Sequence, residues 1–284
     1  MNLPGCSTTS FEAGETLAAT ALESVDRWLL LEVTDPWAPK PLESEVFSEP
    51  LRARIRQWLE TPRSRLQLIR RPGRSGKRPL FMIVNSARGR RGAAKLEIER
   101  YDDLLDVDLE ALDPGPIEPL CLVCSHGRRD RCCGVLGSAV FRAAQTQEVD
   151  VWQTSHLGGH RFAACALWLP NGTMHGRLRP EHVAAFVAAQ QAAEVGDFEL
   201  FRGTCAYDRP TQAAAIHLRR RLGEASIDGL EWQGTTVQAE SSWEARFRVG
   251  ADEHLVRVHL EDTGIERPPS CAAPPEPVKR FVER

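Results

Sequence analysis

The chain has 284 residues, 42% of them apolar and 26% charged, with a formal net charge of −3. That is the make-up of a soluble globular protein with a real core, and the charge is too small to suggest nucleic acid or an anionic membrane as partner. No stretch reaches the apolar length that spans a bilayer, and Met1-Asn2-Leu3-Pro4-Gly5 lacks the basic and apolar regions of a signal peptide. A cytoplasmic location is the expectation. Eight cysteines in a reducing compartment then call for a reason, since disulfides are rarely maintained there. Cys121, Cys124, Cys132 and Cys133 fall in one short stretch, a clustering that points to metal binding or catalysis.

The length exceeds that of a usual single domain, so more than one module is expected. Residues up to about Glu23 are small and polar, suiting a helix or a loose arm, and Trp28–Val33 reads as a buried strand. Ser48 can cap a helix with Pro50 in its first turn and Leu51, Ile55, Trp58 and Leu59 on its apolar face. Strand-like runs follow at Leu66–Ile69, Leu80–Val84 and Leu96–Ile98, separated by glycine- and arginine-rich loops. A helix over Asp102–Leu112 leads to the linker Asp113-Pro114-Gly115-Pro116.

The order then repeats. Leu120–Val123 reads as a strand, and a helix starts near Gly134 with Leu136, Val140 and Ala143 on one face. Val151–Gln153, Ala164–Leu169 and Thr173–Arg177 read as strands, the last two flanking the turn Pro170-Asn171-Gly172. Pro180 opens a helix with Val183, Phe186 and Val187 on its apolar face. Strand, helix, strand, strand, strand, helix, twice over, predicts an α/β (α+β) chain of two tandem thioredoxin-like units, only the second with ligands. The alternative is an irregular α+β extension before one such unit. After Gly203 come a helix from Asp208 to Leu222 and strands at Leu230–Val237, Trp243–Val249 and His254–Leu260. The proline- and charge-rich end reads as a poorly ordered tail. The expected domains are residues 1–115 without ligands, 116–200 with them, and a helix and β-hairpin extension over 201–284.

Two segments carry chemistry: Cys124-Ser-His-Gly-Arg-Arg-Asp-Arg-Cys132-Cys133 and Ser155-His156-Leu-Gly-Gly-His160. The first sets Cys124 at a strand end and Cys133 at the start of a helix, where the macrodipole favours the thiolate a metal needs. In the second, the glycine pair argues for a loop that bends closely around something. Together they offer two sulfurs and two imidazole nitrogens, a set suited to zinc or to iron–sulfur. Zinc knuckles use tight turns of about two to four residues between cysteines. Eight residues separate Cys124 from Cys133, a loop wide enough for a diiron core. On chemistry alone Cys132 remains an alternative to Cys133.

The pattern C-x₈-C then H-x₃-H, within these two segments and the following Arg-Phe-Ala, resembles the sucrase/ferredoxin-like family, densely from Cys124 to about Pro180. The resemblance implies a thioredoxin-like [2Fe–2S] ferredoxin in which two histidines stand where cysteines are usual. It selects Cys133 over Cys132, and implies that Cys124 and Cys133 bind one iron and His156 and His160 the other. No carboxylate pair can be placed for glycoside hydrolysis, so the "sucrase" of the name finds no support.

The expected function is therefore electron transfer without substrate conversion, with redox proteins as partners. Two thiolates neutralise an oxidised core that four would leave negative, so reduction becomes easier. The potential should rise toward the roughly −150 to +300 mV of His₂ Rieske centres, above the roughly −400 mV of plant-type ferredoxins. Imidazole protons should couple reduction to proton uptake at alkaline pH. A cluster-based redox or iron sensor, a Cys₂His₂ zinc protein and a thiol–disulfide oxidoreductase are the competing functions. Arg128, Arg129, Arg131 and Arg161 are candidates to dock an acidic partner or an anion, or else to form a solvated, internally paired loop. Cys121 and Cys165 read as core residues, His126 as a loop hydrogen-bonder, and Cys6, Cys205 and Cys271 have no evident partner. The loop Gly73–Arg78 superficially resembles a P-loop but fails its glycine spacing.

Overall fold

Trp28 to Leu31 are apolar without interruption and fully buried, the signature of a strand covered on both faces. They lie in β1 (Arg27–Glu32), the centre of the first half of a large sheet. The computed structural model describes residues 5–74 and 76–284; Met1–Pro4, and Ser75 of the arginine-rich loop, lie outside the described residues. A short helix α1 (Cys6–Glu12) precedes β1. Helix α2 (Glu49–Leu59) crosses over to β2 (Ser64–Arg70), which pairs parallel with β1. Ser48 caps α2 by accepting the Leu51 N–H at 3.3 Å, and Leu51, Ile55 and Trp58 bury against the sheet. β3 (Leu80–Asn85) then pairs antiparallel with β1, and β4 (Gly92–Glu97) with β3.

The second half pairs in the same pattern. β5 (Leu120–Cys124) and β6 (Asp150–Thr154) are parallel across helix α3 (Arg131–Ala144). β7 (Ala166–Leu169) is antiparallel to β5, and β8 (Thr173–His175) to β7. Helix α4 (Val183–Gln191) packs with α3 on this half through Val183, Phe186 and Val187. The halves meet where β2 and β6 pair antiparallel, Ile69 opposite Thr154 and Arg70 opposite Gln153. With β9 (Phe201–Thr204) at its far edge, one nine-stranded sheet results, in the order β4-β3-β1-β2-β6-β5-β7-β8-β9. The proline-rich linker separates the halves along the sequence only: Trp28, Leu30 and Met82 share one core cluster with Leu120, Leu122 and Trp152.

The last sheet strand, β9 (Phe201–Thr204), is short and carries an arginine in its middle, so it gave no strand pattern. Arg202 is nonetheless buried, because its guanidinium donates to the carbonyls of Thr20 and Gly158. Helix α5 (Arg209–Leu222) follows, capped by Asp208 and closed by Gly223 at φ +68°. Its small face, Ala213, Ala214 and Leu218, packs on Phe247, Val256 and Val258 of a second sheet. That sheet is β10 (Glu231–Ala239), β11 (Ser242–Val249), β12 (Asp252–Arg267) and β13 (Glu276–Glu283), antiparallel in chain order.

Two expectations are corrected. The helix expected over Asp102–Leu112 is only a 3₁₀ segment, Tyr101–Asp106; Val107 is already extended, and Leu104 and Leu109 reach the core without sharing a helical face. The expected loose tail is strand β13. Val278 is buried, Thr263 donates to its carbonyl at 2.7 Å, and Arg267 grips both Glu276 and Glu15. Thr263 and Arg267 lie in the preceding strand and Glu15 lies 252 residues from Arg267, so the composition of the tail itself carried no sign of them.

Candidate metal centre

Cys124 closes β5, and the chain turns through residues 125–130 into α3. Asp130 caps this helix by accepting the Cys132 N–H at 2.8 Å, which puts Cys133 in the first turn. The helix starts three residues earlier than the glycine at position 134 suggested. It lies directly on the strand end: a Cβ at Gly137 would overlap the Cys124 carbonyl. From β6 the chain enters the histidine loop, where Gly158 and Gly159 adopt φ of +78° and +66° and turn it back into a 3₁₀ segment beginning at His160.

These elements bring Cys124, Cys133 and His156 together, their ligand atoms all within 4.8 Å of one another. Cys133 Sγ lies 4.0 Å from His156 Nδ1. His160 stands beside this group, its ring stacked on His156 with centroids 4.8 Å apart and planes 26° apart. Its Nδ1 is buried without a hydrogen-bond partner among the described residues and lies 3.9 Å from Asp130 Oδ2. Both cysteines are buried, as are Leu157 and Phe162 around them, whereas the two imidazoles are half-buried and form the side nearer to solvent.

The Cys133 thiol donates toward Cys124 and, against the cost of burial and with His156 assisting, holds the Cys124 thiol well below its ordinary value. Cys133 is raised in return, first by the same contact and then by burial. Burial and the neighbouring His156 lower His160, while Asp130 pulls it up. A buried thiol held below its ordinary value, a second thiol in contact and imidazoles alongside form a soft-plus-borderline donor set that fits an iron–sulfur core or zinc. Cys121, Cys165 and Cys205 are different. Burial pushes their thiols up to about 12, 11 and 12, and they sit in the core as neutral groups.

Cys132, the alternative to Cys133, faces away from Cys124. Its sulfur lies 3.8 Å from Cys6 and 3.5 Å from Cys271, so sulfurs left without evident partners in the sequence have each other. The only local signal for this grouping was Asp130, three residues before Cys133 and recognisable as a helix cap; Cys6 and Cys271 lie at opposite ends of the chain. His126 is buried edge-on to Trp37, with ring centroids 5.6 Å apart. Arg161 is not a free docking cation: it donates to Glu15 at 2.8 Å. Arg128 and Arg129 are exposed at the mouth of the loop. Among the described residues no helix is long and apolar enough to cross a membrane.

A family model described as sucrase/ferredoxin-like matches residues 18–203. Altered inheritance of mitochondria protein 32 of Meyerozyma guilliermondii is 32% identical over 104 residues, which are 33% of this chain and 37% of that protein. The protein of the same name from Debaryomyces hansenii is 32% identical over 108 residues, 34% and 39% of the two chains. This chain thus spans under two-fifths of the length of the curated relatives it matches. Two serine variants of the thioredoxin-like [2Fe–2S] ferredoxin from Aquifex aeolicus align at 18% and 19% identity, covering 29% of this chain and 96% of theirs, with a TM-score of 0.25.

Proposed function

The chain belongs to the sucrase/ferredoxin-like family, and from that membership we propose that it is an electron-transfer protein holding a [2Fe–2S] cluster through Cys124, Cys133, His156 and His160. The observation that carries this reading is the convergence of Cys124, Cys133 and His156 within 4.8 Å, with the His160 ring stacked on His156. A cluster bound there supplies one-electron transfer.

The protein's own groups set the terms. Cys124 and Cys133 bring two negative charges to a dry wall, where two further thiolates would cost more. His156 and His160 are neutral ligands and keep a second ring nitrogen for a proton. The Asp130 carboxylate, 3.9 Å from His160 Nδ1, stabilises a proton at that atom. Both imidazoles lie toward solvent, so electron and proton exchange at the same edge, and redox partner proteins dock there beside Arg128 and Arg129.

Metal and acid-labile sulfide analysis of protein purified without oxygen tests the reading. The expected outcome is two irons and two sulfides per chain, with a visible spectrum that dithionite bleaches and reoxidation restores. A colourless protein without iron, whose zinc is lost on Cys124→Ser, would overturn it. Loss of the cluster on each redox cycle would favour a sensor over a carrier.

A further inference from the structure

Outside the Cys124 site, three more thiols and a carboxylate converge. Cys6 opens α1, Cys132 lies in the first turn of α3, and Cys271 sits in the connection between β12 and β13. Cys6 and Cys271 are 265 residues apart in sequence, yet their sulfurs are 3.6 Å apart. The other two sulfur–sulfur distances are 3.8 Å for Cys6–Cys132 and 3.5 Å for Cys132–Cys271. Asp130 completes the group, its Oδ1 3.8 Å from Cys6 Sγ and 3.5 Å from Cys271 Sγ. All four ligand atoms lie within 4.8 Å of one another, and the three cysteines are free thiols.

These separations match the edges of a tetrahedron around zinc. Zinc–sulfur bonds of about 2.3 Å put sulfurs ~3.8 Å apart, and a sulfur and a carboxylate oxygen ~3.6 Å apart. The surroundings are arranged to hold the donors. Asp130 accepts the N–H of Cys132 at 2.8 Å and of Cys271 at 3.1 Å, which fixes both its oxygens. The Cys6 N–H points at Cys271 Sγ at 3.5 Å. Gly5 leaves the space the sulfurs occupy: a Cβ there would lie 2.7 Å from Cys132 Sγ.

We propose that Cys6, Cys132, Cys271 and Asp130 bind one zinc ion, a second metal site that clamps the start of α1 and the β12–β13 connection onto the first turn of α3. Zinc enters as the thiols release their protons to solvent, and no electron moves. The clamp sits on the residue preceding Cys133, and so fixes the turn from which that side chain reaches the other site. Iron and zinc are counted separately, so this proposal and the iron–sulfur reading fail independently.

The test uses the full-length protein, purified without oxygen, with zinc, iron and sulfide measured together. One zinc per chain is expected, and zinc-edge X-ray absorption should report three sulfurs near 2.3 Å and an oxygen. Cys271→Ser, at an exposed connection, and Cys6→Ser should each lose that zinc to a mild chelator while iron and sulfide stay unchanged. Zinc retained in both variants, imidazole nitrogen in the zinc shell, failure of metal-free protein to take up added Zn²⁺, or a disulfide among the three cysteines in mass spectra of alkylated protein would each overturn the proposal.

Discussion

At the residue scale, the balance of thiolate and imidazole would set the potential of the proposed cluster. His156→Cys would exchange a proposed neutral ligand for a charged one, so the proposed cluster should persist and its potential fall toward the roughly −400 mV of plant-type ferredoxins. The parent protein's potential should drop with rising pH in the alkaline range, and the variant's should drop less. Spectroelectrochemical titration checks both; a parent potential that ignores pH removes the proton from the mechanism. Residue identity was legible to an uneven degree. Cys124, His156 and His160 stood out by spacing, but Cys132 and Cys133 were indistinguishable by chemistry. Consecutive helical residues point about 100° apart, so one of the pair faces Cys124 and the other faces Cys6 and Cys271.

At the scale of elements, the seating of α3 on the end of β5 brings the two cysteines together. Gly137 makes that contact possible, since any Cβ there meets the Cys124 carbonyl. Gly137→Ala should therefore destabilise the protein by about 1–3 kcal/mol through overpacking, despite the roughly 1 kcal/mol that alanine gains in a helix. Denaturant midpoints measure this, and an unchanged or raised midpoint would mean that α3 is not held against the strand. Strands and capped helices with clean periodicity, such as β1, α2 and α5, were readable in advance. β9 was not, because Arg202 is acceptable in a buried strand only where backbone carbonyls from other segments receive it.

At the scale of the whole molecule, a buried ion network joins the start of the chain to the second sheet. Glu15 accepts from Arg267 through both oxygens at 2.6 Å, from Arg161 at 2.8 Å and from Ser10 at 2.7 Å. Burial alone would raise its carboxyl; Arg267 and Arg161 outweigh that and hold it below the ordinary carboxylate value. A carboxyl lowered by folding adds stability above its unfolded value and loses it as the pH falls toward the folded one. Glu15→Gln should cost about 3 kcal/mol near neutral pH, because buried Arg267 keeps only the half-exposed Glu276 and Arg161 loses its carboxylate. The gap from the parent should shrink in acid. Thermal unfolding across pH checks this, and a gap that does not vary with pH would refute it.

The sequence by itself determined the repeated strand–helix order, the caps of α2 and α5, and a Cys/His pattern sufficient to name a family. Those features are local: each depends on periodicity, or on residues within a few positions of one another. Tertiary structure decided that the two halves share one sheet and core, that the end of the chain is a strand, and that Cys132 belongs with Cys6 and Cys271. The first and last depend on groups 83 to 265 positions apart, such as the Arg70–Gln153 pair and the Cys6–Cys271 contact, and the terminal strand depends on β12, paired with it across the preceding turn. The free energy of such contacts comes from burial and pairing that exist only once the chain has closed on itself.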